Sequence, residues 1–333
     1  MTAAGVLVLV ETDEQGATLV SREALSFARD LAGRIGGLPV HAVVVGPLGA
    51  GGHDALIAHL GEQGVASLHH ATDDRLAAYS AAAWAAAVVD VVTRTESPAV
   101  LAAGTPRGNE VLAHAATRLG VRMAANVVGV DAVDPLVVTR QVVGGTVLED
   151  MRLDDQVALL SVAGHAVDPV PATQPCNPET TSFSPALTDA DLRACVARSE
   201  RSTADDSAAL SSARVVVGAG RGAGSADGFR ELVELTELLG GSLGVSRVVT
   251  SLGWRPHHEQ VGQTGSRITP DVYIPCGISG AIQHWAGCQG AKTILAINTD
   301  PEAPMVTRAH YAVIGDLHEI VPAINEEIRR RKD

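Results

Sequence analysis

Gln260-Val-Gly-Gln-Thr-Gly265 and, a short strand later, Gly277-Ile-Ser-Gly-Ala-Ile-Gln-His284 are the stretches whose reading decides this chain. Each is a loop of small, hydrogen-bonding residues, and the second runs straight into a segment that reads as a helix. Backbone N–H groups exposed at a helix start suit a phosphate or pyrophosphate. Gln263, Thr264, Ser279, Gln283 and His284 add donors and acceptors of the kind that ring a heterocycle. The segment is built to hold a dinucleotide.

Outward from these loops the second half reads as alternating β and α. Strands are expected at 214–217, 245–250, 272–275, 293–297 and 311–315. Helices are expected at 229–239, at 279–286 and from 317 to about 330. The first half alternates in the same way, with strands at 6–10, 40–45, 99–102 and 125–130 and helices at 21–35, 54–62, 77–93 and 106–119. Thr105 is the N-cap of the last helix, and Pro106 takes its first position. Short apolar strands separated by helices mean parallel sheets covered on both faces. From residue 137 the pattern changes: 137–142, a Gly144-Gly145 turn, 146–153 and 157–162 read as a meander added to the sheet. Residues 168–188, with five prolines, read as a linker or extended arm, and one strand is expected near 192–197. The division is 1–165, a linker or arm at 166–213, and 214–333. The fold class is α/β with two domains, each a mostly parallel sheet flanked by helices.

Composition narrows the function. Aromatic residues make up 3% of the 333, so the cores are built from Ala, Val, Leu and Ile. The net charge of −13 argues against nucleic acid, whose phosphates need a basic face. The start is apolar but lacks a basic n-region and meets Glu11, so it reads as a first strand and not a signal peptide. No stretch approaches the ~18 uninterrupted apolar residues of a membrane span. The four cysteines show no zinc spacing and are expected to be free thiols in a reducing, cytoplasmic compartment. No metal site is expected.

Gly218-Ala-Gly220-Arg-Gly-Ala223 fits the Gly-x-Gly-x-x-Gly/Ala fingerprint after a valine strand. The acid that would hold an adenosine ribose about 20 residues on is missing, because 249–252 reads Val-Thr-Ser-Leu. The standard NAD site is therefore disfavoured, with Arg221 left free to contact phosphate or adenine. Arg247 begins an otherwise apolar predicted strand, where it either snorkels to the surface or lies beside a flavin that is anionic when reduced. Asn298 and Asp316 each follow a predicted strand end. In open α/β sheets ligands sit outside the carboxyl ends of the strands, so five loops of this half converge on one edge.

Gly220-Arg221-Gly222, Ser246-Arg247, the 260–265 loop, Tyr273-Ile274, the 277–284 loop, Lys292-Thr293-Ile294, Ala296-Ile297-Asn298, Asp300-Pro-Glu-Ala-Pro304 and Asp316-Leu317 together resemble the alpha subunit of electron transfer flavoprotein. The match runs in order over about 214–325. The first half resembles that family more loosely, through its strand–helix order and the hairpin around 140–153.

The resemblance implies a Rossmann-like C-terminal domain binding one FAD. Arg221, Ser246, Asn298, Asp316 and Leu317 would hold the adenine, ribose and phosphate portion. Val261, Gly262, Gln263 and Thr264 would run along the isoalloxazine and ribityl chain, with the Thr264 hydroxyl near N5. Ser279, Gly280, Ala281, Ile282 and Gln283 would cradle the ribityl-pyrophosphate, His284 would reach the O2 edge, and Arg247 would lie against the ring. Ser251 stands where many members have Asp, which puts the local charge near the flavin in question.

The family implication is an electron carrier and not an enzyme with its own substrate. Electrons would come from flavoprotein dehydrogenases, such as the acyl-CoA dehydrogenases of fatty acid β-oxidation. They would pass to a membrane quinone oxidoreductase or another acceptor. The partner would be a beta subunit carrying AMP, against which the first domain and the proline-rich arm pack. Three other readings stay open: a bifurcating relative with a second FAD in its beta subunit, a flavin or NAD enzyme with its own substrate, and a nucleotide-binding regulatory module.

Overall fold

The computed structural model describes residues 4–49, 52–143, 147–164, 166–197 and 210–332. The chain divides into two compact units, residues 1–142 with 147–199 and residues 143–146 with 200–333. Both are α/β.

The first unit is built on β1 (Val6–Leu9), β4 (Val40–Val45), β5 (Val65–Ala71), β6 (Ala99–Ala103), β7 (Met123–Val133), β8 (Leu136–Val142), β9 (Val147–Leu153), β10 (Ala158–Val162) and β11 (Glu179–Phe183). A short hairpin, β2 (Thr12–Asp13) and β3 (Gly16–Ala17), precedes the first helix. The nine strands run in the order β11-β5-β4-β1-β6-β10-β7-β8-β9. Helices α1 (Leu19–Arg34) and α2 (Gly52–Glu62) cover one face, and α3 (Ala81–Thr95) and α4 (Pro106–Leu119) the other. Val6 and Val8 point into the first layer and Leu7 and Leu9 into the second, all fully buried, which is why β1 is apolar at every position. Thr105 caps α4 as its sequence implies, accepting from the Gly108 amide at 2.8 Å.

Two expectations fail here. β10 does not extend the meander: it pairs parallel with β6 on one side and β7 on the other. Its residues Ala158–Val162 are buried on both faces, and such a strand gains most from the middle of a sheet. The strand expected near 192–197 is replaced by a 3-10 turn at Asp189–Leu192, closed by a reciprocal cap between Thr188 and Asp191. The proline-rich segment, expected as a linker or extended arm, is tied to its own unit. The Ala172 amide donates to Glu62 O at 2.7 Å, and β11 pairs parallel with β5 at the sheet edge. β5, which carries the adjacent pair His69-His70, is not among the strands expected from the sequence. The Gly144-Gly145 turn lies outside the described residues.

The second unit carries β12 (Val215–Ala219), α5 (Arg230–Leu239), β13 (Ser242–Val245), α6 (Arg247–Ser251), β14 (Val272–Cys276), α7 (Ile282–Cys288), β15 (Thr293–Asn298), α8 (Pro304–Thr307), β16 (Tyr311–Ile314) and α9 (Leu317–Lys332). Its five strands are all parallel, in the order β13-β12-β14-β15-β16. The winding reverses between β12 and β14. That reversal opens a crevice at the carboxyl ends of the two strands, the usual ligand position in open α/β sheets. One correction matters for the site: the strand expected at 245–250 ends at Val245, and Arg247–Ser251 is a helix.

Candidate cofactor cleft

A cleft of about 650 Å³ lies at this reversal. That is within the ~300–1,000 Å³ usual for cofactor and small-molecule sites. Each loop that meets there is held by a backbone bond to a neighbour. The Ser246 amide donates to Ala219 O at 3.0 Å, Val261 to Val245 O at 2.9 Å, Gly277 to Ile297 O at 2.8 Å and Gly315 to Asn298 O at 3.0 Å. The two signature loops are clamped together where Gln263 N–H donates to Gln283 O at 2.8 Å. Glycine permits this closeness. A Cβ on Gly287 would stand 2.4 Å from both N and Cα of Gly262, whose φ is +147°.

Of the residues expected at the site, Arg221, Ser246, Arg247, Val261, Gly262, Gln263, Thr264, Ser279, Gly280, Ala281, Gln283, His284, Asn298, Asp316 and Leu317 all line the cleft. Ile282 is not among the lining residues; it is 74% exposed at the first position of α7. Because α7 has only seven residues, its macrodipole is small, and attraction for an anion falls to individual donors and cations. Gln260, Asp300 and His318 also line the cleft, though the sequence reading gave them no role. Their signal was adjacency to the recognised loops.

Arg247 is exposed in a helix, not at a strand end, and it lines the cleft, so of the two readings the one that snorkels from a strand falls away. Ser246 caps that helix through its backbone position alone. Its buried Oγ has no hydrogen-bond partner among the described residues. Thr264 is oriented from behind: Thr250 donates to Gln260 Oε1 at 2.8 Å, and Gln260 Nε2 donates to Thr264 Oγ1 at 3.0 Å. With that acceptor position used, the Thr264 hydroxyl proton is available to the cleft. Asn298 ties two loops, donating to Ile278 O at 3.0 Å and accepting from the Asp300 amide at 3.1 Å. Asp316 accepts from the His318 amide at 2.9 Å at the start of α9.

His284 is 6% exposed, and its Nε2 lies 2.7 Å from the Tyr273 hydroxyl. Burial pushes the imidazole down to about 4, opposed by the Val261 backbone. Nδ1 makes no hydrogen bond of ordinary geometry among the described residues. Two buried polar atoms at the cleft, Ser246 Oγ and His284 Nδ1, thus lack the partners such atoms normally have.

Fold and cleft together define a doubly wound α/β domain with a cleft of the size cofactors occupy. Comparison with known proteins gives the family. The model of the electron transfer flavoprotein domain matches residues 6–188, and that of the electron transfer flavoprotein FAD-binding domain matches residues 209–289. The chain is 34% identical over 329 residues to an electron transfer flavoprotein subunit alpha from Mycobacterium leprae, covering 99% of each. It is 36% identical over 330 residues to one from Mycobacterium tuberculosis, again covering 99% of each. With one from Bacillus subtilis it shares 31% identity over 326 residues, 98% of this chain and 97% of the other. The chain belongs to the electron transfer flavoprotein alpha subunit family.

Proposed function

We propose that the second unit binds one FAD and that the chain works as an electron carrier. In this reading it pairs one-to-one with a beta subunit that carries AMP. Electrons arrive from flavoprotein dehydrogenases, acyl-CoA dehydrogenases among them, and leave to a quinone oxidoreductase or another acceptor. The supporting observation is the convergence of five strand-end loops on one cleft that contains two buried, unpartnered polar atoms. Those atoms fit the group: an Nδ1–H and a hydroxyl in a polar recess match a carbonyl edge and a sugar or phosphate oxygen. The domain division at 166–213 and a cytoplasmic location belong to the same proposal; free thiols at all four cysteines accord with the latter.

When bound, the flavin supplies the redox chemistry, and the protein supplies binding, orientation and electrostatics. Arg247 places a cation at the cleft wall, which favours whichever bound form carries more negative charge. His284 offers a neutral donor, and Thr264 a hydroxyl held by Gln260. Ser279 to Gln283 supply a backbone cradle, while Arg221 adds a second cation to the lining. The first unit contributes no recognised nucleotide motif and is read as the surface that meets the beta subunit.

The chain co-expressed with its beta subunit should elute as a one-to-one complex and release one FAD per alpha chain on denaturation. FMN alone, or no flavin, would overturn the cofactor assignment. Two FAD per complex would instead favour a bifurcating relative. A stable, flavin-replete monomer that exchanges electrons with a dehydrogenase unaided would refute the partner claim.

A further inference from the structure

Tyr273 lies in β14, is fully buried, and does not line the cleft. Its hydroxyl has one hydrogen-bond partner among the described residues, His284 Nε2 at 2.7 Å. The two rings lie nearly parallel, with planes 24° apart and centroids 6.2 Å apart. On the far side β12 leaves room for that hydroxyl only because residue 218 is glycine: a Cβ there would stand 2.5 Å from the oxygen. The phenol is therefore confined with its O–H next to one acceptor.

We propose that Tyr273 is a positioning residue: its hydroxyl donates to His284 Nε2 and so fixes the imidazole proton on Nδ1, presenting a neutral N–H donor to the cleft. The proposal rests on the flavin reading only for the identity of the acceptor. Its logic is proton accounting. A buried hydroxyl donor is almost always satisfied, and Nε2 is the acceptor within reach, so Nε2 carries the lone pair. In a neutral imidazole the other nitrogen then carries the hydrogen. That nitrogen is the buried ring atom left without a hydrogen bond of ordinary geometry among the described residues, in a residue that lines the cleft. Neither group escapes the arrangement by titrating near neutrality: burial raises the Tyr273 phenol well above its ordinary range and holds His284 at about 4. The result is selective. A ring carbonyl meets a fixed donor, whereas the opposite tautomer would turn a lone pair toward it.

Nitrogen-15 NMR of the histidine-labelled heterodimer reads the tautomer directly, with and without Tyr273→Phe, a nearly isosteric change. The wild type should show His284 protonated at Nδ1 alone, and Y273F should show a mixture of tautomers. The ratio of reduced-flavin to oxidised-flavin affinity should fall about 3–10-fold in Y273F, the loss of one oriented hydrogen bond of ordinary strength. In a His284→Gln background Tyr273→Phe should leave that ratio unchanged, because the tyrosine acts through the imidazole. Protonation at Nε2 in the wild type, or an unaltered tautomer and ratio in Y273F, would overturn the proposal. A wild-type complex that holds no flavin would sink the cofactor reading instead, leaving the tautomer measurement to decide Tyr273's role by itself.

Discussion

Gly287→Ala tests whether the two signature loops are clamped as tightly as the cleft requires. In the interior of a helix alanine is favoured over glycine by about 1 kcal/mol. Here the added Cβ would stand 2.4 Å from Gly262 N, 2.4 Å from its Cα and 3.0 Å from its carbonyl carbon. These are backbone atoms, and no side-chain rotation relieves the overlap. Restoring ordinary contact moves the 260–265 loop or α7 by on the order of 1 Å. That strains the Gln263–Gln283 and Ile268–Gly287 backbone bonds, both 2.8 Å. Overpacking of this kind costs about 1–3 kcal/mol, enough to outweigh the propensity gain. Because the strained loop carries Gly262, Gln263 and Thr264, most of the penalty should appear as lost flavin affinity, about 10-fold per 1.4 kcal/mol. Gly33→Ala is the matched control. Gly33 sits in α1 with nothing within 4 Å of its would-be Cβ, so the same change there should stabilise by about 0.5–1 kcal/mol. Flavin fluorescence titration and thermal melts of both variants read the two signs. A Gly287→Ala protein with unchanged affinity and a raised melting temperature would refute the clamp.

Arg247→Ala should lower the flavin potential while weakening binding only modestly. At ~4 Å and an effective dielectric of ~20 the gross Coulomb term is about 4 kcal/mol, and the exposure of Arg247 should leave roughly a quarter of it. Unchanged potentials from spectroelectrochemical titration would remove Arg247 from the redox site. Ser246→Ala should weaken flavin binding about 5–10-fold yet leave the flavin-free protein as stable or slightly more so, since it deletes a buried hydroxyl without a partner. Lower stability with unchanged affinity would place that hydroxyl's partner within the protein. His284 links stability to pH. Its folded value of about 4 lies below the ordinary 6.5, so the unfolded chain binds more protons between them. Its contribution is complete above about pH 6.5 and drains away as pH falls toward 4, on the order of 1–2 kcal/mol by pH 5. Melts of the flavin-free protein at pH 7.5 and 5 should show this loss, and His284→Gln should flatten it; an equal slope in both would contradict the buried neutral imidazole.

The amino-acid sequence by itself determined the loops of the cleft, because their chemistry is local. Glycines at 262, 277 and 280 take positive φ, and polar residues beside them have few uses other than hydrogen bonding. Thr105 and Pro106 likewise declare a helix start without help from the rest of the chain. Elements that depend on distant partners were not legible. The run Arg247-Val-Val-Thr-Ser251 is too short for periodicity to separate strand from helix. Its backbone is settled by the Ser246 amide reaching Ala219 O and by Val249 packing into the core. β10 sits between β6 and β7 because it is apolar on both faces, a fact its own residues express but whose neighbours they do not name. β11 is polar and becomes a strand only because β5 offers an open edge. The Gln260 bond behind Thr264 and the Tyr273 bond behind His284 are decided by side-chain direction. That direction is set when the sheet and helices pack, 4 residues apart in one pair and 11 in the other.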